Sequence, residues 1–149
     1  MIERKQLYRH KPEEGQIGDC FRTSIACLLD LEPAAVPHFG VSDFDASGRA
    51  AKHSQTAEAE AWLAERGLAQ VHVAYGGELD DVLAAVGSLN PKAYYLLGGR
   101  SRTGVNHAVI GCGNRIAWDP SLTDAGIVGP CSDGLFWVTF IVPSLLVAA

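Results

Sequence analysis

Cys20 stands in Gly18-Asp19-Cys20-Phe21-Arg22, His107 opens the run His107-Ala108-Val109-Ile110, and Asp119 lies in Trp118-Asp119-Pro120. Together they offer a nucleophile, a base, and a third group that could orient the base. A cysteine attacks as thiolate, so its surroundings must favour a negative sulfur. Asp19 reads as a helix N-cap, which puts Cys20 in the first helical turn. Unpaired N–H groups and the positive end of the helix dipole favour an anion there. Gly15 and Gly18 let the backbone turn sharply ahead of the sulfur, and the same free amides could receive an oxyanion.

The other cysteines lack such a setting. Cys27 falls two turns inside the same helix beside Leu28, where burial keeps a thiol neutral, and Cys112 and Cys131 sit in a tight turn and a Gly-Pro-Cys-Ser loop. Among the histidines, His10 belongs to a charged arm, His38 to a Val-Pro-His-Phe turn, His53 to a polar loop and His72 to a strand followed by another helix. His107 and Asp119 flank Gly111-Cys112-Gly113-Asn114, which reads as a hairpin. If its turn is a three-residue loop centred on Gly113, then Gly111 faces Arg115, Val109 faces Ala117, and His107 faces Asp119. Directly opposed residues have Cβ atoms about 4.5–5.5 Å apart, a spacing that suits a carboxylate holding an imidazole. A slip of one residue would put the pair on opposite faces.

The elements that must position these groups follow from periodicity. Phe21, Ile25, Leu28 and Leu29 recur on one helical face from Cys20 onward. Pro33 and Pro37 leave room only for a turn or a short helix between Asp30 and Phe39, and residues 40–54 read as an exposed loop. Thr56 begins a second helix that stops at Gly67, and Glu78 to Val86 a third, with Leu79, Val82, Leu83 and Val86 inward. Strands are expected at Ala69–Tyr75, Ala93–Leu97, Asn106–Gly111, Arg115–Asp119 and Leu135–Val142. Mostly helices first and strands afterwards is an α+β order: an N-terminal helix carrying the cysteine, packed on a C-terminal antiparallel sheet.

Bulk properties narrow the classes. A chain of 149 residues fits one domain, residues 1–149, and its 48% hydrophobic and 19% charged composition is that of a globular protein. A net charge of −5, with basic residues clustered only at Arg4, Lys5, Arg9, His10 and Lys11, argues against a nucleic-acid partner. No apolar run reaches the ~20 residues of a membrane-spanning helix, and no apolar stretch follows the N-terminal charges. A reducing, cytoplasmic setting is therefore expected, with thiols rather than disulfides. Neither Cys-x-x-Cys nor His-x-x-x-His occurs, so neither a metal nor another cofactor is expected.

A cysteine opening a helix, then a strand histidine, then an acid on the next strand resembles the papain-like cysteine peptidases, especially their compact NlpC/P60-like and bacteriocin-processing members. Gly18-Asp19-Cys20-Phe21-Arg22 through Ala26, Leu28 and Leu29, Val36-Pro37-His38-Phe39, His107-Ala108-Val109-Ile110 and Asp119-Pro120 also resemble small uncharacterised phage and prophage proteins. The resemblance implies a cysteine-dependent peptidase, amidase or isopeptidase working through an acyl-enzyme on Cys20. His107 would take and return the proton and Asp119 would orient it. The substrate would be a peptide or protein amide, met in a bacterial cytosol if the protein is phage-encoded. Two departures stand out. Glu14 occupies the place where papain-like enzymes carry an oxyanion-hole glutamine, which leaves Gln16, or less readily Gln6, for that role. Phe21 follows the cysteine where the bacteriocin-processing group has a small residue. Arg100 and Arg102 could meet a substrate carboxylate, though loop arginines are commonly just solvated. Transglutaminase- or deamidase-like transfer, and an inactive papain-like fold that binds a protein partner, are the alternatives.

Overall fold

The structure, a computed structural model, describes residues 1–40, 55–146 and 148; most of the loop expected at 40–54 lies outside them. Among the described residues there are three α-helices, α1 (Cys20–Leu28), α2 (Gln55–Ala64) and α3 (Leu79–Leu89). Five strands accompany them, β1 (Leu68–Tyr75), β2 (Tyr94–Arg100), β3 (Asn106–Cys112), β4 (Arg115–Trp118) and β5 (Phe136–Pro143). The strands form one antiparallel sheet in the order β1-β5-β2-β3-β4. The α+β reading therefore stands, with boundaries mostly within two or three residues of those the periodicity predicts. Short 3-10 turns occupy Pro12–Glu14, Pro33–Ala35 and Ser144–Leu146.

Alternation along the strands fills both faces of the sheet. Tyr95, Leu97, Val109, Phe136 and Val138 point to one face and pack under Val82 and Val86 of α3. Leu96 points to the other and joins Ile25 and Ala26 of α1, Ala59 and Leu63 of α2, and Val36 and Phe39. α1 is buried well beyond its apolar stripe: Arg22, Thr23 and Ser24 are buried too. The N-terminal arm causes this by lying across the outer side of the helix. Ile2 N–H donates to the Cys27 carbonyl at 3.0 Å, and the Arg4 carbonyl accepts from Trp118 Nε1 at 2.8 Å.

The β3–β4 hairpin differs from the predicted register. Cys112 pairs with Arg115, so the turn is the two residues Gly113-Asn114, with Gly113 at φ 57°. Glycine first at positive φ is one of the preferred two-residue hairpin turns. A tighter turn shifts the pairing by one residue, which by itself would send Asp119 to the wrong face. A bulge compensates. Gly111 pairs with Ile116 but Ile110 pairs with Trp118, leaving Ala117 as the extra residue. Continued past Trp118, the shifted register sets Asp119 against Val109, on the side that His107 shares. The predicted direct opposition of His107 and Asp119 is thus replaced by a diagonal approach.

Gly111 serves this hairpin in a second way. The Tyr95 ring lies across it and reaches the Gly113 carbonyl with its hydroxyl at 2.8 Å. A Cβ at Gly111 would fall 2.1 Å from a carbon of that ring, and Tyr95 is fully buried with nowhere to move. Gly111→Ala should destabilise the protein by about 2–3 kcal/mol, or more if the hairpin is displaced, as overpacked cores do. Urea unfolding checks this, and an unchanged midpoint would mean the ring can step aside.

Candidate active site

His107 is the second residue of β3 and Asp119 immediately follows β4, so both sit where the sheet ends. The imidazole is 6% exposed and its Nε2 lies 2.7 Å from Asp119 Oδ1. The carboxylate is firmly held. Oδ1 also accepts from the Ser121 amide at 2.8 Å, while Oδ2 accepts from the Gly126 amide at 2.8 Å and from the Ser121 hydroxyl at 3.3 Å. On its other side the ring faces the cleft that Cys20 also lines, close enough for the sulfur to favour the charged imidazole. Asp119 occupies Nε2, so Nδ1 is the nitrogen left for the thiol. Cys20, the first residue of α1, is half-buried at the mouth of a cleft of about 650 Å³. His107 shares that cleft with Phe21, Phe39, Leu96 and Trp137.

Electrostatics follow from this packing. Burial opposes a charged imidazole, but the hydrogen bond to Asp119, the nearby Cys20 sulfur and the negative charge of both outweigh it and push His107 up to about 9. Burial likewise opposes the Asp119 carboxylate. The His107 contact and the amides of Ser121 and Gly126 overcome that and hold it well below the usual carboxylate range. Folded His107 keeps its proton to about 9 while the unfolded side chain loses it near 6.5, so its contribution to stability is complete below 6.5 and drains away as pH rises to about 9. Asp119 has the opposite sense: its contribution is present above 3.8 and is lost in stronger acid. Urea midpoints should be highest between about pH 4 and 6.5, and His107→Ala should flatten the fall on the alkaline side. A midpoint that rises between pH 6.5 and 9 would contradict this sign.

The helix start is built differently from the predicted cap. The Asp19 side chain makes no capping hydrogen bond. Its carboxylate, completely buried, turns back to accept from the amides of Leu7 at 3.2 Å and Tyr8 at 2.8 Å, and from Arg22 Nε at 2.9 Å. Asp19 thus ties the N-terminal arm to the helix. The amides of Cys20 and Phe21 have no acceptor among the described residues, and the first intrahelical bond is Thr23 N–H to the Asp19 carbonyl. They are the unpaired donors that every helix start leaves.

Gln16, the predicted oxyanion donor, is not turned toward the sulfur. Its amide Nε2 donates to the Arg9 carbonyl at 2.8 Å, and its backbone pairs with Lys11. The Gln6 amide is buried against the Tyr8 carbonyl. Arg100 and Arg102 do not line the cleft. Arg102 donates to the Asp124 carbonyl at 3.1 Å, and the exposed Arg100 lies over Gly129. They point away because β2 runs on through Arg100, which places both arginines beyond the cleft on the loop that pairs with residues 125–129. Cys27 is completely buried, and burial pushes its thiol up. Among the described residues no group of three or more His, Cys, Asp or Glu could hold a metal ion, and no helix is long and apolar enough to cross a membrane.

Two residues that the sequence reading left aside line the cleft. His10 stands at its rim beside Gly18. Trp137 is held by its Nε1, which donates to Asp133 Oδ2 at 2.8 Å. The signal for His10 was the pair of glycines, Gly15 and Gly18, that folds residues 8–19 back on themselves. Comparison with known proteins gives no relative: no family model, no curated protein and no solved structure matches the chain.

Proposed function

We propose that the protein is a papain-like cysteine hydrolase acting on peptide or protein amides, with Cys20 as nucleophile, His107 as acid–base and Asp119 as the group that orients it. The observation that carries this reading is the chain of contacts from Asp119 through His107 to Cys20, ending at an open cleft. A thiol, an imidazole and a buried carboxylate each occur for structural reasons, but their alignment with one exposed end is the arrangement nucleophilic catalysis requires.

The chemistry follows. The Cys20 sulfur bonds to the amide carbonyl carbon, and the carbonyl electrons move onto oxygen. As the tetrahedral adduct collapses, the C–N bond breaks and His107 gives its proton to the departing nitrogen, leaving a thioester. Water then attacks, His107 takes its proton, and the acid product leaves as the sulfur regains its charge. An amine in place of water would complete a transamidation through the same steps. Asp119 holds the ring by Nε2 and keeps Nδ1 toward the sulfur throughout.

Alkylation by iodoacetamide near pH 6.5 tests the assignment. An ordinary thiol is only about 1% thiolate at that pH, so a sulfur paired with an imidazolium stands to react roughly 10- to 100-fold faster. The expected result is rapid labelling confined to Cys20, falling to the ordinary rate in His107→Ala. Slow labelling shared by Cys20, Cys112 and Cys131 would count against an enzyme and for a binding module.

A further inference from the structure

We propose that His10 supplies a side-chain hydrogen-bond donor to the oxyanion, alongside the helix-start amides. The inference rests on the acyl-transfer reading of Cys20 and adds a residue to it. When the sulfur adds to a carbonyl, a full negative charge gathers on oxygen. The free helix-start amides of Cys20 and Phe21 lie on one element, and a fixed side-chain donor from the facing segment would complete the receptor, since sites of this kind present two or more fixed donors.

The residues around the cleft narrow the choice. Gln16 and Gln6 are committed to the Arg9 and Tyr8 carbonyls. Asn106 is taken up by Ser132, donating to its hydroxyl at 3.2 Å and accepting from its amide at 3.0 Å. Gln55 donates to the Phe39 carbonyl, and His72 engages the Thr139 hydroxyl at 2.9 Å. Unlike Asn106, Gln55 and His72, His10 comes from the segment that leads into α1; it touches Gly18, two residues before the nucleophile, and its Nε2 has no partner among the described residues.

Its geometry suits the task. The Gly18 amide donates to His10 Nδ1 at 3.4 Å, so that nitrogen carries no proton and the ring N–H is at Nε2, the end away from Gly18. The backbone on either side is fixed. Lys11 and Gln16 exchange two backbone hydrogen bonds, of 2.8 and 3.0 Å, and the Gln16 side chain holds the Arg9 carbonyl. Gly18 is required for the approach, since a Cβ there would meet the His10 Cβ and backbone nitrogen at 3.0 Å. Gln16 therefore acts through His10, as a positioning residue, by bracing the strand on which the ring is mounted.

Two reactions of the same sulfur separate this role from the roles of His107 and Asp119. Acylation by p-nitrophenyl acetate passes through an oxyanion; alkylation by iodoacetamide, a direct displacement of iodide, does not. In His10→Ala the p-nitrophenolate burst should slow by about 10²- to 10³-fold, the usual cost of one lost oxyanion donor, while alkylation stays within about twofold of wild type. His10→Gln, which keeps an N–H donor, should recover part of the burst rate, and His10→Phe, which keeps only the ring shape, should not. A burst unchanged in His10→Ala, or a burst and an alkylation rate that fall together, would overturn the proposal. Slow alkylation of the wild-type protein would instead strike the assignment of Cys20 and His107 themselves.

Discussion

Cys20→Ser should reduce turnover of an activated ester such as p-nitrophenyl acetate by a factor of about 10⁴ or more, the scale of losing a nucleophile from a triad, while the thermal midpoint moves little. The reason lies in how His107 is tuned. Its contacts with Asp119 and Cys20 push it up to about 9, so near neutrality the ring is held protonated. An imidazolium stabilises a thiolate that already exists; it cannot take the proton of an alcohol. Serine removes the sulfur that helps to hold this proton and puts in its place an alcohol, a much weaker nucleophile than a thiolate. Packing changes little, because Cys20 is half-buried at the cleft mouth while the core around Ile25 and Phe39 is untouched. Ester hydrolysis and a thermal melt of the same preparation check both halves. Turnover retained in Cys20→Ser would remove this residue from the mechanism.

The largest effect on stability should come from Asp19→Ala, about 3–5 kcal/mol by urea unfolding, the range found when one partner of a buried ion pair is removed. Asp19 is fully buried and Arg22 is 7% exposed. Without the carboxylate, the guanidinium keeps the Val36 carbonyl at 3.2 Å and the face of Tyr8, but no negative charge. The amides of Leu7 and Tyr8 lose their acceptor in the same step. Adding Arg22→Leu should return part of the loss, since it removes the uncompensated charge. A loss below about 1 kcal/mol would show that the arm is held mainly by its backbone contacts with the Cys27 and Pro120 carbonyls.

The residues that meet at the site were legible in the sequence, but the path by which they meet was not. Cys20 at a helix start, His107 near a strand start and Asp119 at the end of the next strand follow from local periodicity, which senses burial one face at a time. The hairpin register did not, because a tight turn and a bulge each shift the pairing by one residue and only their combination restores the face. A pattern of apolar residues carries no mark of Ala117 being the extra one. Asp19 has the composition of a cap. Its actual partners, Leu7, Tyr8 and Arg22, become visible only once the arm is known to lie over the helix. His10 was lost for the same reason, since a polar residue in a charged terminal segment looks solvated until its surroundings are known. Arg100 and Arg102 lie where the solvated reading of loop arginines put them. They are near His107 along the chain, but β2 continues past the cleft and carries them away from it.

The strand order has a consequence for how the protein comes into being. β5, the last of the five described strands, lies between β1 and β2, and it supplies Trp137 and Thr139 to the cleft. Until β5 leaves the ribosome, β1 has no neighbour among the described strands and these strands remain in two pieces. The nascent chain thus carries Cys20 with the cleft unbuilt until β5 is made. Closure must await pairing between segments far apart in the sequence, a slow class of folding step. On the proposed function, the topology itself would delay activity until synthesis has passed residue 143.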